Sequence, residues 1–445
     1  MSSKVWFMND RAQSFETSMV AKMLTVFDAA GFAEMISPGD VVAIKVHCGE
    51  YNNTAYLRPV YARALADRIK EVGGRPFVCD TTTLPYLPVA SRCTALDELL
   101  TAERNGYNSA TLGCPFIVAD GFMGTDDIRV DVPEGFICKE AYVAKALALA
   151  DVLITLSHFK GHPFGVIGGT IKNLGIGCQS KRGKFNIHMG GHTRYSMINS
   201  PVFLHKCLGQ DCPTYAICTQ VCPYDLFKFK EVDGKFILDW DQQKCTNCLA
   251  CLGVVMLCGV VGMPEDTQEA LNAAMADGAL GMVNAVGREK CGFINLAIDV
   301  TPSCDCVPWA DRPIVPNVGV FASKDPVAID MATLDKTEEL IGMPGSACEE
   351  RGVAAPGTKG RFAASSSMMG ISEMIQINTG EKIGLGVKDY ELIEVPPAPA
   401  AQFIFHWDKR MVSDRLRRMH AKDPVFPFDK GFNNRLQEVD FTEVR

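Results

Sequence analysis

Eight cysteines fall between Cys207 and Cys258 in two runs of four, a density that no ordinary hydrophobic core requires. The first run is Cys207, Cys212, Cys218 and Cys222, with Pro223 directly behind it. The second is Cys245, Cys248, Cys251 and Cys258. Sets of four thiolates hold iron–sulfur clusters. In two-cluster ferredoxins, three close cysteines bind one cluster and a fourth, often followed by Pro, serves the other. Crossing the runs by that rule predicts one set of Cys207, Cys212, Cys218 and Cys258, and a second of Cys245, Cys248, Cys251 and Cys222. The spacing is stretched: four, five and three residues separate the first run's members, and six precede Cys258. Paired zinc sites and a disulfide knot are the other readings of such a pattern. The C-x2-C-x2-C of Cys245 to Cys251, with the Cys-Pro at Cys222, favours two [4Fe-4S] clusters and therefore electron transfer.

A chain of 445 residues should hold two to four structural units, at about 150 residues each. The N-terminus, MSSKVWFMNDR, has no apolar signal region, and no run of about 20 apolar residues follows it. The expectation is a cytoplasmic protein without a membrane span. In such a reducing compartment, 18 cysteines argue for metal binding rather than disulfides. An anaerobic host would suit exposed clusters. A net charge of −8 gives no reason to expect nucleic acid as partner.

Outside the cysteine runs the pattern is that of an α/β protein with a mainly parallel, doubly wound sheet. Strands are expected at Val41–Val46, Phe77–Cys79 and Val152–Leu156. Helices are expected at about Ser18–Ala30, Pro59–Val72, Leu96–Asn105 and Lys139–Ala150. Residues 1–200 then form the first part of the body and 201–264 an inserted ferredoxin-like module with its two clusters. Residues 265–395 form the second part, and 396–445 a linker and basic tail. In that second part a helix is expected at Thr267–Ala285, then strands near Phe293–Val300 and Val318–Ala322. Another helix is opened by Asp325 as N-cap and Pro326. The tail's Lys409–Lys422 stretch is expected to be helical, packed on the body or on a second subunit of a homo-oligomer. Functional loops in such sheets follow the carboxyl ends of strands.

A second signal is a vacuum of negative charge. From Val152 to Gln210 there is no Asp or Glu, while the stretch holds Lys160, Lys172, Lys181, Arg182, Lys184, Arg194, Lys206 and five of the eight histidines. Such a field would gather an anion, with Lys172 holding it and Lys181, Arg182 and Lys184 concentrating it. The competing reading is a basic rim that steers an acidic electron partner or offsets the charge of the clusters. His158 and His162 follow an apolar strand and are candidate proton donors. The glycine-rich run ending at Lys172 is not a P-loop, because its spacing fails and Asn173 stands where Ser or Thr belongs.

Six segments in order sharpen this: KVHCGE (Lys45–Glu50), DTTT (Asp80–Thr83), SHFKGH (Ser157–His162), GTIKNLGIGCQSKRGK (Gly169–Lys184), TPSCDC (Thr301–Cys306) and SKDPVAID (Ser323–Asp330). Together they resemble the iron–sulfur-centre proteins built on domain of unknown function 362, over roughly residues 1–395. The resemblance implies an α/β body with an inserted two-cluster ferredoxin module, but no substrate. Cys48 departs from it, standing where an aromatic is common. At these positions Glu50 and Asp80 end strands on the active edge as candidate acid, base or ligand. Cys304 and Cys306 fall on one side of an extended segment, and with Cys178 they are a candidate third metal site. Asp330 reads as structural. The expected function is an oxidoreductase passing electrons through the clusters to a small anion. The alternative is an electron-transfer module that docks and reduces a partner protein, and either reading needs a low-potential donor or acceptor.

Overall fold

The computed structural model of the protein describes residues 2–86, 89–255 and 258–399, with Arg418, Asp440 and Thr442 beyond them. Two compact units divide the chain, Met1–Pro397 and Ala398–Arg445. In the second, the Thr442 N–H donates to Asp440 at 2.9 Å. The Lys409–Lys422 stretch, apart from Arg418, lies outside the described residues.

The first unit is built on an eight-stranded sheet. In spatial order its strands are Tyr390–Glu394, Ser3–Asn9, Gly319–Ser323, Cys291–Ala297, Val152–His158, Val41–Lys45, Arg75–Asp80 and Phe116–Val118. Five of the seven pairings are parallel, and only Gly319–Ser323 runs against both neighbours. The central strands are buried along their whole length, which is why they read as continuous apolar runs rather than alternating ones. Helices fall into two groups that pack among themselves and on the sheet. Met19–Ala29 and Pro59–Glu71 form one, while Thr170–Gly175, Thr267–Val286, Pro326–Glu339 and Met374–Lys382 form the other.

Local chemistry sets the boundaries. Ser18 caps its helix by accepting from the Ala21 N–H, and Thr94 with Asp97 closes a capping box. Asp325 caps the helix that Pro326 begins, accepting from Val327 and Ala328 at 2.9 and 3.0 Å. Asp330, one turn on, accepts from the Thr170 and Ile171 N–H groups, each at 2.8 Å, and from Asn295 at 2.7 Å. It thereby ties the Lys172-bearing helix to the sheet. Asp330→Ala orphans these buried donors and should cost about 2–4 kcal/mol, read as a lowered urea midpoint at unchanged slope.

The expected Lys139–Ala150 helix is not formed. Glu140–Ala144 is a strand paired antiparallel with Asp127–Asp131, and only Lys145–Ala148 is helical. Tertiary packing decides it: Ala141 lies against Gly281 of the long helix, where a side chain would collide with it. Beyond His158, Lys160–His162 pairs with Val166–Gly168 in a short hairpin.

The cysteine-rich excursion leaves and returns at one point. Phe203 N–H donates to Val260 O at 2.7 Å and Gly262 N–H to Pro201 O at 2.9 Å, with Val202 bridged to Val261. Inside it are the hairpin Phe227–Val232/Lys235–Trp240 and a small core of Val221, Phe227, Leu238, Leu249, Val254 and Val260. Leu84, Tyr86 and Phe164 of the sheet side join that core. None of the protein's cysteines is disulfide-bonded.

Candidate active site

Four parallel strands, Arg75–Asp80, Val41–Lys45, Val152–His158 and Cys291–Ala297, end on the same edge, and their following loops meet there. A cavity of about 290 Å³ opens at this edge, lined by His47, Asp80, His158, His162, Lys172 and Cys306 among others. Leu252 and Gly253, the two residues that follow Cys251, also line it. The cavity therefore lies between the sheet and the second cysteine run. Gly177 passes so close to Lys45 that a β-carbon there would strike the ammonium.

The positive field expected from the acid-free stretch is largely cancelled by carboxylates from elsewhere in the chain. Lys45 Nζ meets Asp80 at 2.8 Å, and it also donates to Val46 O at 2.6 Å and Asn173 at 3.0 Å. Burial alone would raise the Asp80 carboxyl, but Lys45, His47 and Arg92 outweigh it and hold it well below the usual range. Arg92, itself buried, reaches Glu50 at 3.2 Å, Asp80 at 3.3 Å and Glu98 at 3.6 Å. The Glu98 carboxyl is pushed up to about 8 by burial, against the pull of Arg92. Cys48, Asp80 and Glu98 have metal-like spacing, but the Arg92 guanidinium already serves as their cation.

Glu50 does not line the cavity. Its carboxylate is spent on Arg92 and on the N–H groups of Tyr51 and Ser91, both at 3.0 Å, which makes it a loop anchor. His158 does line it, yet both ring nitrogens are engaged, with Asp305 at 2.9 Å and with Ile298 O at 2.6 Å. No free nitrogen remains on that ring to serve a substrate, so the geometry makes it a clamp on Asp305 rather than the expected proton donor. Lys160 holds the same carboxylate at 3.1 Å. Burial opposes ionisation of Asp305, but His158 and Lys160 overcome it.

Asp305 lies between two cysteines that behave oppositely. Cys304 is fully buried and receives Lys172 Nζ at 3.7 Å and the Cys306 N–H at 3.3 Å. Burial works against its ionisation, but the hydrogen bond from Cys306 and the charges of Lys172, His162 and Lys160 hold its thiol well below the ordinary range. Cys306, which faces the cavity, is raised well above that range, first by its bond to Cys304 and then by burial. His162 Nδ1 accepts from the Phe164 and Gly165 N–H groups at 3.1 and 2.7 Å, so the neutral ring carries its proton on Nε2, 3.5 Å from Cys306 Sγ. Burial, then Lys172, lowers His162 to about 4. Lys172 is the lining cation without a carboxylate at ion-pair distance among the described residues.

Other expected residues fall elsewhere. Cys178 sits in the apolar core with Lys45 and Lys184 as its charged neighbours, and its thiol is pushed up to about 12 by burial. His162, not Cys178, completes the group with Cys304 and Cys306, whose reactive atoms lie within 4.8 Å of one another. Lys181 ties loops together by donating to Thr82 at 2.9 Å, to Met123 O at 2.8 Å and to Cys93 O. Arg182 is exposed and stacks over Tyr142. Lys184 alone of those three lines the cavity, donating to Thr81 at 2.7 Å and Gln179 O at 2.6 Å. Burial lowers its ammonium to about 8. Arg92 and Asp305 are the residues that sequence reasoning missed. A buried arginine in a loop carries no periodic signal, whereas the cysteines on either side of Asp305 were a signal that could have found it.

In the excursion, the thiols group in two sets. Cys218 is raised to about 11, first by burial and then by Cys258, Cys212 and Cys207. Cys251 is raised to about 12 by burial and then by Cys245, Cys248 and Cys222. Backbone N–H groups of Leu226 and Asn247 donate to Cys222 and Cys245 sulfurs, both at 3.4 Å.

Among the described residues no helix is long and apolar enough to cross a membrane. Comparison with curated proteins gave no match. Among solved structures, the chain is similar to the lactate racemase apoprotein from Thermoanaerobacterium thermosaccharolyticum, at 10% identity and a TM-score of 0.36, covering 95% of this chain and 90% of that one. It is also similar to a Thermotoga maritima protein at 9% identity and a TM-score of 0.32, covering 64% of this chain and 52% of that one. Residues 42–335, more than half of the chain, match the family described as Domain of unknown function (DUF362), and the protein belongs to that family.

Proposed function

We propose that the protein is an iron–sulfur oxidoreductase that passes electrons to a small anion bound in the cavity beside Lys172, His162 and Cys306. The observation that carries this reading is the shared wall: Leu252 and Gly253, next to Cys251, line the same cavity as those polar groups. The cysteine excursion fits two four-thiolate clusters in its donors. Eight unpaired thiols stand in two mutually neighbouring sets, with N–H groups directed at two of the sulfurs. Cys207, Cys212, Cys218 and Cys258 would hold one [4Fe-4S] cluster, and Cys222, Cys245, Cys248 and Cys251 the other. When bound, such clusters supply one-electron chemistry.

The chain's own groups do the rest. Among the described residues Lys172 has no carboxylate at ion-pair distance and leans on the Cys304 sulfur instead, so it is the group to hold the anion. His162 presents an Nε2–H at the cavity and can hydrogen-bond to negative charge that develops on a substrate. Arg92, Asp80, Lys45 and Asp305 keep these groups in place through buried ion pairs.

An electron-transfer module remains the second reading, favoured by one observation. Leu208, Ile217, Tyr224 and Phe236 of the excursion are exposed apolar side chains, and Cys258 of the same excursion is exposed too. A partner protein could dock on the excursion, either to deliver electrons to the enzyme or to receive them in its place. Anaerobically reconstituted protein should carry about eight irons per chain, falling to about four in Cys251→Ser. Phosphate should perturb the electron paramagnetic resonance of the reduced wild type. Stoichiometric zinc with no iron uptake would overturn the cluster reading. Spectra indifferent to every small anion would leave the module.

A further inference from the structure

We infer that Cys304 and Cys306 form a dithiol–disulfide couple that reduces small, anion-bearing disulfides in the cavity. The re-reduction half of this cycle rests on the proposed function; the exchange half stands on the site itself.

Four features of the site point to thiol exchange. Both sulfurs are free, and with His162 Nε2 they lie within 4.8 Å of one another. They are arranged in depth: Cys306 faces the cavity, where a substrate can reach it, and Cys304 lies behind it, fully buried. The inner sulfur has two donors, the Lys172 ammonium at 3.7 Å and the Cys306 N–H at 3.3 Å, which favour its thiolate. The outer one has the His162 Nε2–H at 3.5 Å.

The same three atoms have the spacing of a metal site, but the histidine is turned the wrong way for it. A metal-bound imidazole ordinarily donates its other N–H to an acceptor. Here the other nitrogen is itself the acceptor of two backbone N–H groups, at 3.1 and 2.7 Å. The neutral ring must therefore keep its proton on the nitrogen that faces the sulfurs. That geometry suits a hydrogen bond to a leaving thiolate.

The step balances. Cys306 gives its proton to the neighbouring Cys304 thiolate as its own sulfur attacks the substrate R–S–S–R. The departing R–S⁻ takes that proton from Cys304 and leaves as R–SH, and Cys306 is left in a mixed disulfide. The Cys304 thiolate then attacks Cys306 Sγ and expels the second R–S⁻, which His162 Nε2–H receives as a hydrogen-bond donor. One S–S bond breaks and one forms, and the products are the Cys304–Cys306 disulfide, R–SH and R–S⁻. Two electrons and one proton then restore Cys304–S⁻ and Cys306–SH, the electrons coming from a low-potential electron-donor protein through the two [4Fe-4S] clusters of the proposed function. Lys172 sits where it can hold a carboxylate or phosphate on R.

The test uses cluster-reconstituted full-length protein and dithiodiglycolate, a small dicarboxylate disulfide. After anaerobic incubation and alkylation, the peptide containing Cys304 and Cys306 should escape labelling and be lighter by two hydrogens. Two mercaptoacetates should appear per chain, and reduced viologen should reopen the pair. Uncharged 2-hydroxyethyl disulfide should react about tenfold more slowly. Cys306→Ser should abolish release at unchanged iron content, and Cys178→Ser should leave it intact. If Cys306→Ser does not fold, the wild-type mass change decides alone. The inference fails if both thiols alkylate as in untreated protein, or if a stoichiometric metal is bound that Cys306→Ser releases. Full iron with an inert pair sinks this inference alone. A reactive pair in protein that takes up no iron sinks the proposed function and leaves the exchange chemistry standing.

Discussion

Arg92→Met should strongly destabilise the protein by removing a cation shared by three buried carboxylates, with Asp80 still paired to Lys45. Glu50, Asp80 and Glu98 all lie within 3.6 Å of the guanidinium, and all three are buried. Breaking one buried ion pair costs about 3–5 kcal/mol, because a charge is left without water or partner. A loss of that size is much of a domain's stability of about 5–15 kcal/mol. The defect has a pH signature. Glu98 has its folded value raised to about 8 from an ordinary 4.5, so what it contributes to stability is full below the ordinary value and lost as pH rises through about 8. Without Arg92 that loss grows, so the variant should be least unstable in mild acid and worst above neutrality. Arg92→Lys should recover only part of the loss, since one ammonium cannot fork to three carboxylates. Urea midpoints across pH check this, and a variant as stable as wild type at pH 8 would show the cluster to be hydrated.

The parallel strands at the sheet's centre were readable because burial on both faces leaves a continuous apolar run, as in Val152–Leu156. Helices with their own caps were readable for the same local reason, as at Ser18 and Asp325. The Ser3–Asn9 and Tyr390–Glu394 strands carried a weaker signal, since each is only partly buried and owes its place to a partner far along the chain. At Lys139–Ala150 a helical composition lost to a pairing with Asp127–Asp131 that no local pattern announces.

For the site, strand order did most of the work. Asp80, His158, His162 and Lys172 converge because parallel strands bring their carboxyl ends to one edge. Their roles were not legible. The sequence shows that a histidine follows a strand, but not that Asp305, 147 residues away, occupies its Nδ1. The acid-free stretch misled in a similar way. Local absence of carboxylates does not make a positive pocket when Asp305 and Asp120 arrive from elsewhere in the chain to pair with Lys160 and Lys184.

That cancellation singles out Lys172. If the whole basic stretch attracted the anion, replacing any of Lys172, Lys181 or Arg182 would weaken binding by similar amounts. Lys181 is tied up in loop contacts and Arg182 lies at the surface, so of these three only Lys172 lines the cavity, where its neighbour is the Cys304 sulfur rather than a carboxylate. A hydrogen bond to a charged partner is worth about 1.5–3 kcal/mol, which is about 10- to 100-fold in affinity. Lys172→Met should therefore weaken phosphate binding by that factor and flatten its salt dependence, at unchanged iron content. Lys181→Met should bind phosphate normally and lose stability instead. Arg182→Met should change neither. Calorimetric titration with phosphate at two salt concentrations separates these outcomes, and equal losses in all three variants would return the anion to a diffuse basic surface. A loss confined to Lys172 would locate it beside Cys304, where that ammonium already rests on the buried sulfur.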